Sequence, residues 1–162
     1  RALRPGGRLT IAEPIMRDDA LHAVALRTVL GRSDSDQDDR LLPLLHRWKA
    51  AQFPDTMERL EETPYTNFTE RDLLHLAQEA GFTDIDLRLH MHVEKDRPMT
   101  WTAFINASPH PLAPTLATIM RTQFSVVEQT FFEQVLRPAI ESGAYAVTER
   151  MAYLSASKPI YN

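Results

Sequence analysis

The stretch Leu3-Arg4-Pro5-Gly6-Gly7-Arg8-Leu9-Thr10-Ile11-Ala12-Glu13-Pro14-Ile15 decides how this chain is read. Arg4-Pro5-Gly6-Gly7 has the chemistry of a turn. Proline sets φ at the first corner, and a glycine after it admits positive φ. Leu9-Thr10-Ile11-Ala12 is short, β-branched and bounded by turn residues and Pro14, which predicts a buried strand. Leu3 then reads as the end of a helix whose body lies outside the sequence, as if the chain began in mid-fold. Gly6-Gly7 is not a nucleotide loop, because it precedes a strand, whereas such a loop follows a strand and opens a helix.

Working outward, Asp18 to Leu30 predicts a helix. Ala20, Leu21, Val24, Ala25, Thr28 and Val29 form its apolar stripe, Asp18 or Asp19 its N-cap and Gly31 its stop. Arg32 to Asp39 is a polar, acidic loop. Asp34, Asp36 and Asp38 mimic the start of a calcium loop, but Asp39 stands where glycine is needed and Leu45 where the bidentate Glu is needed. Leu41 to Gln52 predicts a second helix with Leu42, Leu45, Trp48 and Lys49 in register, broken by Phe53-Pro54-Asp55. In Phe68 to Phe82, Thr69 and Asp72 make a near capping box. Leu73, Leu74, Leu76, Ala77 and Ala80 form the stripe there, and Gly81 is the left-handed stop. Asp84 to Glu94 alternates, with Ile85, Leu87, Leu89, Met91 and Val93 on the buried face of a strand. Pro98 to Pro114 is proline-rich and irregular. Leu116 to Phe124 and Glu128 to Ser142 read as helices, with Pro138 kinking or ending the second and Gly143 stopping it. Thr148 to Ser157 is a last strand. The class is mixed α/β.

The 162 residues suffice for one domain with a real core. Hydrophobic residues at 43% and charged residues at 25% are ordinary for a globular chain and argue against wholesale disorder. No stretch approaches the roughly 18 apolar residues of a membrane span. Cysteine is absent, which removes disulfides, thiolate nucleophiles and Cys-based zinc sites, and a cytoplasmic location fits. A net charge of −4 without a basic run argues against a reader of nucleic-acid phosphates.

"LRPGGRLTIAEP" followed by "NFTERDLLHLAQEAGFTDIDL" resembles the C-terminal half of a class I S-adenosylmethionine-dependent methyltransferase of the bacterial small-molecule type. The resemblance implies a Rossmann-like sheet of which this chain holds the fifth, seventh and sixth strands, in that spatial order. The seventh would be antiparallel between the other two. It implies a single domain over residues 1–162, with residues 99–146 a helical insertion between the last two strands. It also implies S-adenosylmethionine as cofactor and a small-molecule methyl acceptor. The family's cofactor site, a glycine-rich loop after its first strand and an acidic residue after its second, is not in this sequence. With five glycines and no G-x-G-x-x-G, the chain offers no cofactor-binding residues. The expectation is therefore a parent enzyme whose missing half holds the methyl donor, this half supplying lid helices and part of the acceptor pocket.

Methyl transfer needs positioning and, for weakly acidic hydroxyls, a base. Glu13 stands at the carboxyl end of a strand, where open α/β sheets place their ligands. It can orient substrate or accept a proton, or simply face water. His22 and His46, on helices after that strand, are further candidate bases, or surface residues. Trp48, Trp101 and Phe104, with Phe124, can line a pocket for a flat substrate, or form core. Arg17, just beyond the strand, can hold an anionic group. His90 and His92 share a strand face but lack an evident third ligand, so no metal site is expected. An alternative from another class is a non-catalytic module. The open edge of the Arg8–Glu13 strand would then favour a homodimer, or pairing with a chain supplying the other half. A stand-alone small-ligand binding domain is the third reading.

Overall fold

The computed structural model describes residues 3–31, 40–95, 97–144 and 146–160. The element order is β1 (Arg8–Pro14), α1 (Arg17–Leu30), α2 (Leu41–Gln52), α3 (Met57–Glu62), α4 (Glu70–Glu79), β2 (Thr83–Lys95), α5 (Trp101–Asn106), α6 (Leu116–Gln123), α7 (Val126–Ser142) and β3 (Ala146–Ser157). The class is mixed α/β, and the sheet is small. Its order is β1-β3-β2, and β3 runs antiparallel to both neighbours. The first and second strands are thus parallel and separated by the last, the order that the family resemblance implies. The calcium-like loop of residues 32–39 lies outside the described residues.

The turn before β1 forms as its chemistry dictates. Gly6 has φ +75, and the Gly7 N–H donates to the Arg4 carbonyl at 2.9 Å. β1 then pairs with β3 along its whole length, from Arg8 opposite Ser157 to Pro14 opposite Met151. Because the Ile15 N–H turns toward β3, strand alternation points the N–H groups of Arg8, Thr10 and Ala12 to the other side, the open edge. Pro14 has no N–H to leave unpaired there.

Side chains alternate, so Leu9 and Ile11 share a face with Leu154, Ala156, Ile85 and Leu87. α4 covers that face through Leu73 and Ala77. The α4 ends are well determined. Thr69 and Asp72 complete a capping box despite the shorter acid, since the Asp72 carboxylate accepts from the Thr69 N–H at 2.7 Å. At the other end Gly81 has φ +77; the Gly81 N–H donates to Gln78 and the Phe82 N–H to Ala77, satisfying the last carbonyls. Ser125 and Glu128 cap α7 in the same way, and Pro138 is accommodated inside that helix.

A second core is helical. Leu44 of α2, Trp101 of α5, Leu116, Ile119 and Met120 of α6, and Phe132 and Ile140 of α7 pack together with Phe124. α5, α6 and α7 therefore lie between β2 and β3 in sequence but pack with α2. A third cluster joins Ala20 and Ala23 of α1 to Phe53 and Leu60.

Four expectations are corrected. α1 starts at Arg17 after Met16, with no side-chain cap; Asp18 instead pairs with Arg150 at 3.1 Å. Residues 98–114, expected to be irregular, contain α5, whose start is capped by the Thr100 hydroxyl, whereas Gly31 ends α1 as expected. The α1 stripe turns by one position: Ala20 and Ala23 are buried, whereas Leu21 and Val29 are exposed, because α2 and α3 cover only one narrow side. Leu89, Met91 and Val93 on β2 are exposed, since α4 reaches only as far as Leu87, and Leu76 is exposed as well.

Candidate functional site

Glu13 is the last polar residue of β1 and sits opposite Ala152 of β3. It opens into a cleft of about 300 Å³ lined by Pro14, Met16, Tyr65, Phe68, His110, Pro111 and Leu112. A broader depression continues over Ile11, Leu73 and Leu76, sharing Glu13, Tyr65, Phe68 and Leu112. The walls are apolar, with a carboxylate and an imidazole among them, the composition of a small-molecule site.

Each wall is fixed by backbone bonding. The turn at residues 63–67 is held by Thr66 N–H and Asn67 N–H, both donating to the Thr63 carbonyl at 3.0 Å. The Arg17 guanidinium donates to the Asn67 carbonyl at 2.9 Å. Arg17 thus anchors the segment carrying Tyr65 and Phe68. The opposite wall is the proline-rich segment at 108–114. There the Ala113 N–H donates to the His110 carbonyl at 3.0 Å, and the Ser108 hydroxyl reaches the Ala113 carbonyl at 2.7 Å.

Gln52, buried at the end of α2, holds this segment twice. Its amide donates to the Pro114 carbonyl at 2.9 Å, and its main-chain carbonyl accepts from His110 Nε2 at 2.9 Å. His110 is 7% exposed, with its ring between Tyr65 (centroids 4.7 Å) and Phe53 (5.4 Å). A carbonyl can only accept, so Nε2 carries hydrogen, and in the neutral ring Nδ1 is the free acceptor.

Other sequence candidates lie elsewhere. His22 is exposed on α1. His46 meets the buried Asp55 carboxylate at 3.1 Å, alongside Arg27 at 3.0 Å and Arg59 at 2.9 Å. Burial would raise the Asp55 pKa, but the Arg27 and His46 hydrogen bonds and the two guanidinium charges together hold it below the usual carboxylate value. Trp48, Trp101 and Phe104 belong to the helical core. Trp48 is edge-on to Phe104 (5.9 Å) and Phe132 (6.0 Å), and Trp101 stacks on Phe104 (5.9 Å). Lys49 lies over the Trp48 ring at 4.4 Å; burial lowers its pKa, and Asp19 opposes that. The His90 and His92 rings are 6.3 Å apart on the exposed face of β2. Among the described residues no three metal-ligating side chains converge, and no helix is long and apolar enough to cross a membrane.

Of the sequence candidates, only Glu13 lines the cleft and Arg17 braces it. His110 and Tyr65 were missed. The signal for His110 was its place in Ser108-Pro109-His110-Pro111, a proline-framed segment without helical or strand periodicity, where one polar ring must find a specific partner. A second cleft of about 310 Å³, between Arg47, Val127, Glu128 and Phe131, has Arg47 and Glu128 paired with each other. No protein-family model matches the chain, and no curated protein matches it significantly.

Proposed function

We propose that this chain forms the acceptor-side part of an S-adenosylmethionine-dependent methyltransferase acting on a small molecule. The observation that carries the reading is the sheet: a last strand antiparallel between two strands that are parallel to each other, with Glu13 at the carboxyl end of the first, facing an apolar cleft. That is the arrangement the sequence resemblance calls for at the end of a seven-stranded Rossmann-like sheet.

The residues present do not fit the methyl donor itself. The link from β1 to the following helix is Ile15-Met16, which contains no glycine and opens no phosphate or carboxylate cradle. The donor would be held by residues other than these. The role of this chain is to bind and orient the acceptor: Tyr65, Phe68 and Leu112 give it an apolar wall, and Glu13 accepts a hydrogen bond from the acceptor's donor group. Calorimetric titration of S-adenosylmethionine into the 162-residue chain tests this division. It predicts no binding heat; tight, stoichiometric binding by these residues alone contradicts it.

A second reading has its own support. β1 is an edge strand of the described sheet, with the N–H groups of Arg8, Thr10 and Ala12 turned outward. Such an edge favours pairing with another strand, from a second copy or from a donor-binding part. Light scattering tests it: a monomer at all concentrations, for a chain with a native spectrum, rules out self-pairing.

A further inference from the structure

We infer that His110 is the proton acceptor of the Glu13 cleft and that the cleft takes a flat, uncharged molecule bearing a hydroxyl group, such as a phenol. The inference deepens the reading above and rests on it for the reaction, though not for the binding.

The imidazole is locked. Its Nε2–H is committed to the Gln52 carbonyl at 2.9 Å, and the ring packs against Tyr65 and Phe53. The carbonyl partner fixes the tautomer, leaving Nδ1 with a lone pair and no protein partner among the described residues. A buried ring held so firmly, on the wall of a cleft, presents an acceptor that a ligand can satisfy. Glu13 adds a second acceptor to the same cleft. Two acceptors and apolar walls call for a ligand that brings donors, and the Glu13 charge disfavours an anionic one. About 300 Å³ is at the small end of ligand sites, which suits one or two fused rings.

In the step that follows binding, the ligand O–H bond breaks and the proton forms an Nδ1–H bond. The electron pair stays on oxygen as aryloxide. The imidazolium keeps its Nε2–H on the Gln52 carbonyl, with the Glu13 carboxylate in the same cleft opposing its charge.

The test is long-range proton–nitrogen NMR on the histidine-labelled 162-residue chain, with 2-naphthol as probe and naphthalene and 2-naphthoate as comparators. The expected spectrum shows His110 as the Nε2–H tautomer, with an Nδ1 resonance that moves on adding 2-naphthol and stays still with naphthalene. Affinity for 2-naphthol should exceed that for either comparator by about tenfold, the worth of one good hydrogen bond. His110→Gln keeps an amide donor able to reach the Gln52 carbonyl but has no imidazole Nδ1. It should fold and bind 2-naphthol no better than naphthalene. An Nδ1–H tautomer in the free protein, equal binding of 2-naphthol and naphthalene, or full 2-naphthol affinity in His110→Gln overturns the inference. If His110→Gln does not fold, the wild-type tautomer and the probe comparison decide it alone. These results hold or fail without methyl transfer, so an inactive enzyme with the expected His110 behaviour would refute the methyltransferase reading only.

Discussion

Arg27 and Asp55 lie 28 residues apart in sequence, yet their side chains meet at 3.0 Å. His46 and Arg59 converge on the same carboxylate, so one buried acid ties α1, α2 and α3 together. This knot fixes α2 against α1 and α3, and with it Gln52 at the end of α2, which holds the His110 wall of the cleft.

Asp55→Ala should cost about 2–4 kcal/mol, because it leaves three donors around a buried site without their acceptor. Asp55→Asn, which keeps one carbonyl acceptor, should cost less. Urea denaturation of the three proteins measures both, and a loss under about 0.5 kcal/mol for Asp55→Ala would show that the knot is dispensable.

The same carboxylate predicts acid sensitivity. Its folded pKa is held below its ordinary value of 3.8 by Arg27, His46 and Arg59 against the effect of burial. A depressed folded pKa gives stability that is fully present above the unfolded value and is lost as pH falls through the folded one. Asp72, through the Thr69 N–H, and Glu128, through the Ser125 N–H, shift the same way. Denaturation midpoints should therefore fall below about pH 4. Asp55→Asn should flatten part of that fall, and an unchanged slope would exclude Asp55 as its source.

The sheet core can be separated from its bare end. Leu154, 1% exposed between Leu87 and Ile11, should cost about 2–5 kcal/mol on mutation to Ala. Leu89, 41% exposed two residues along the same face of β2, should cost under about 1 kcal/mol. Equal losses would mean that the far end of β2 is covered in solution.

At the cap of α7, Ser125→Ala should lower stability by about 1 kcal/mol by freeing the Glu128 N–H. Thermal melting checks it, and an unchanged midpoint would show that the first turn of α7 does not depend on its cap.

The elements legible in the sequence were those fixed by local chemistry. The Pro5-Gly6-Gly7 turn, the Thr69–Asp72 box and the Gly81 stop each rest on residues a few positions apart, and each formed. α3 went unread because six residues at Met57–Glu62 show too little periodicity to stand out from Phe53-Pro54-Asp55. The α1 stripe was misphased because the larger Leu21 and Val29 dominate the pattern, whereas Ala23, outside the expected stripe, has the small side chain that permits close helix contact. The cleft was legible only at Glu13. Its other polar residue, His110, is placed by a bond to Gln52 across 58 residues, and no local pattern encodes that meeting. The aromatic residues read as a possible pocket wall instead fill the helical core, where Trp48 and Trp101 each pack against Phe104.

The most direct test of the central proposal is transfer of a labelled methyl group from S-adenosylmethionine to a phenol. The protein required carries this segment together with a donor-binding part. Wild-type protein should label the phenol, and Glu13→Gln, which loses the charge but keeps an acceptor, should lower kcat/KM by about tenfold while leaving the denaturation midpoint unchanged. No labelling of any hydroxyl- or amine-bearing small molecule by such a protein would contradict the account. So would full activity in Glu13→Gln.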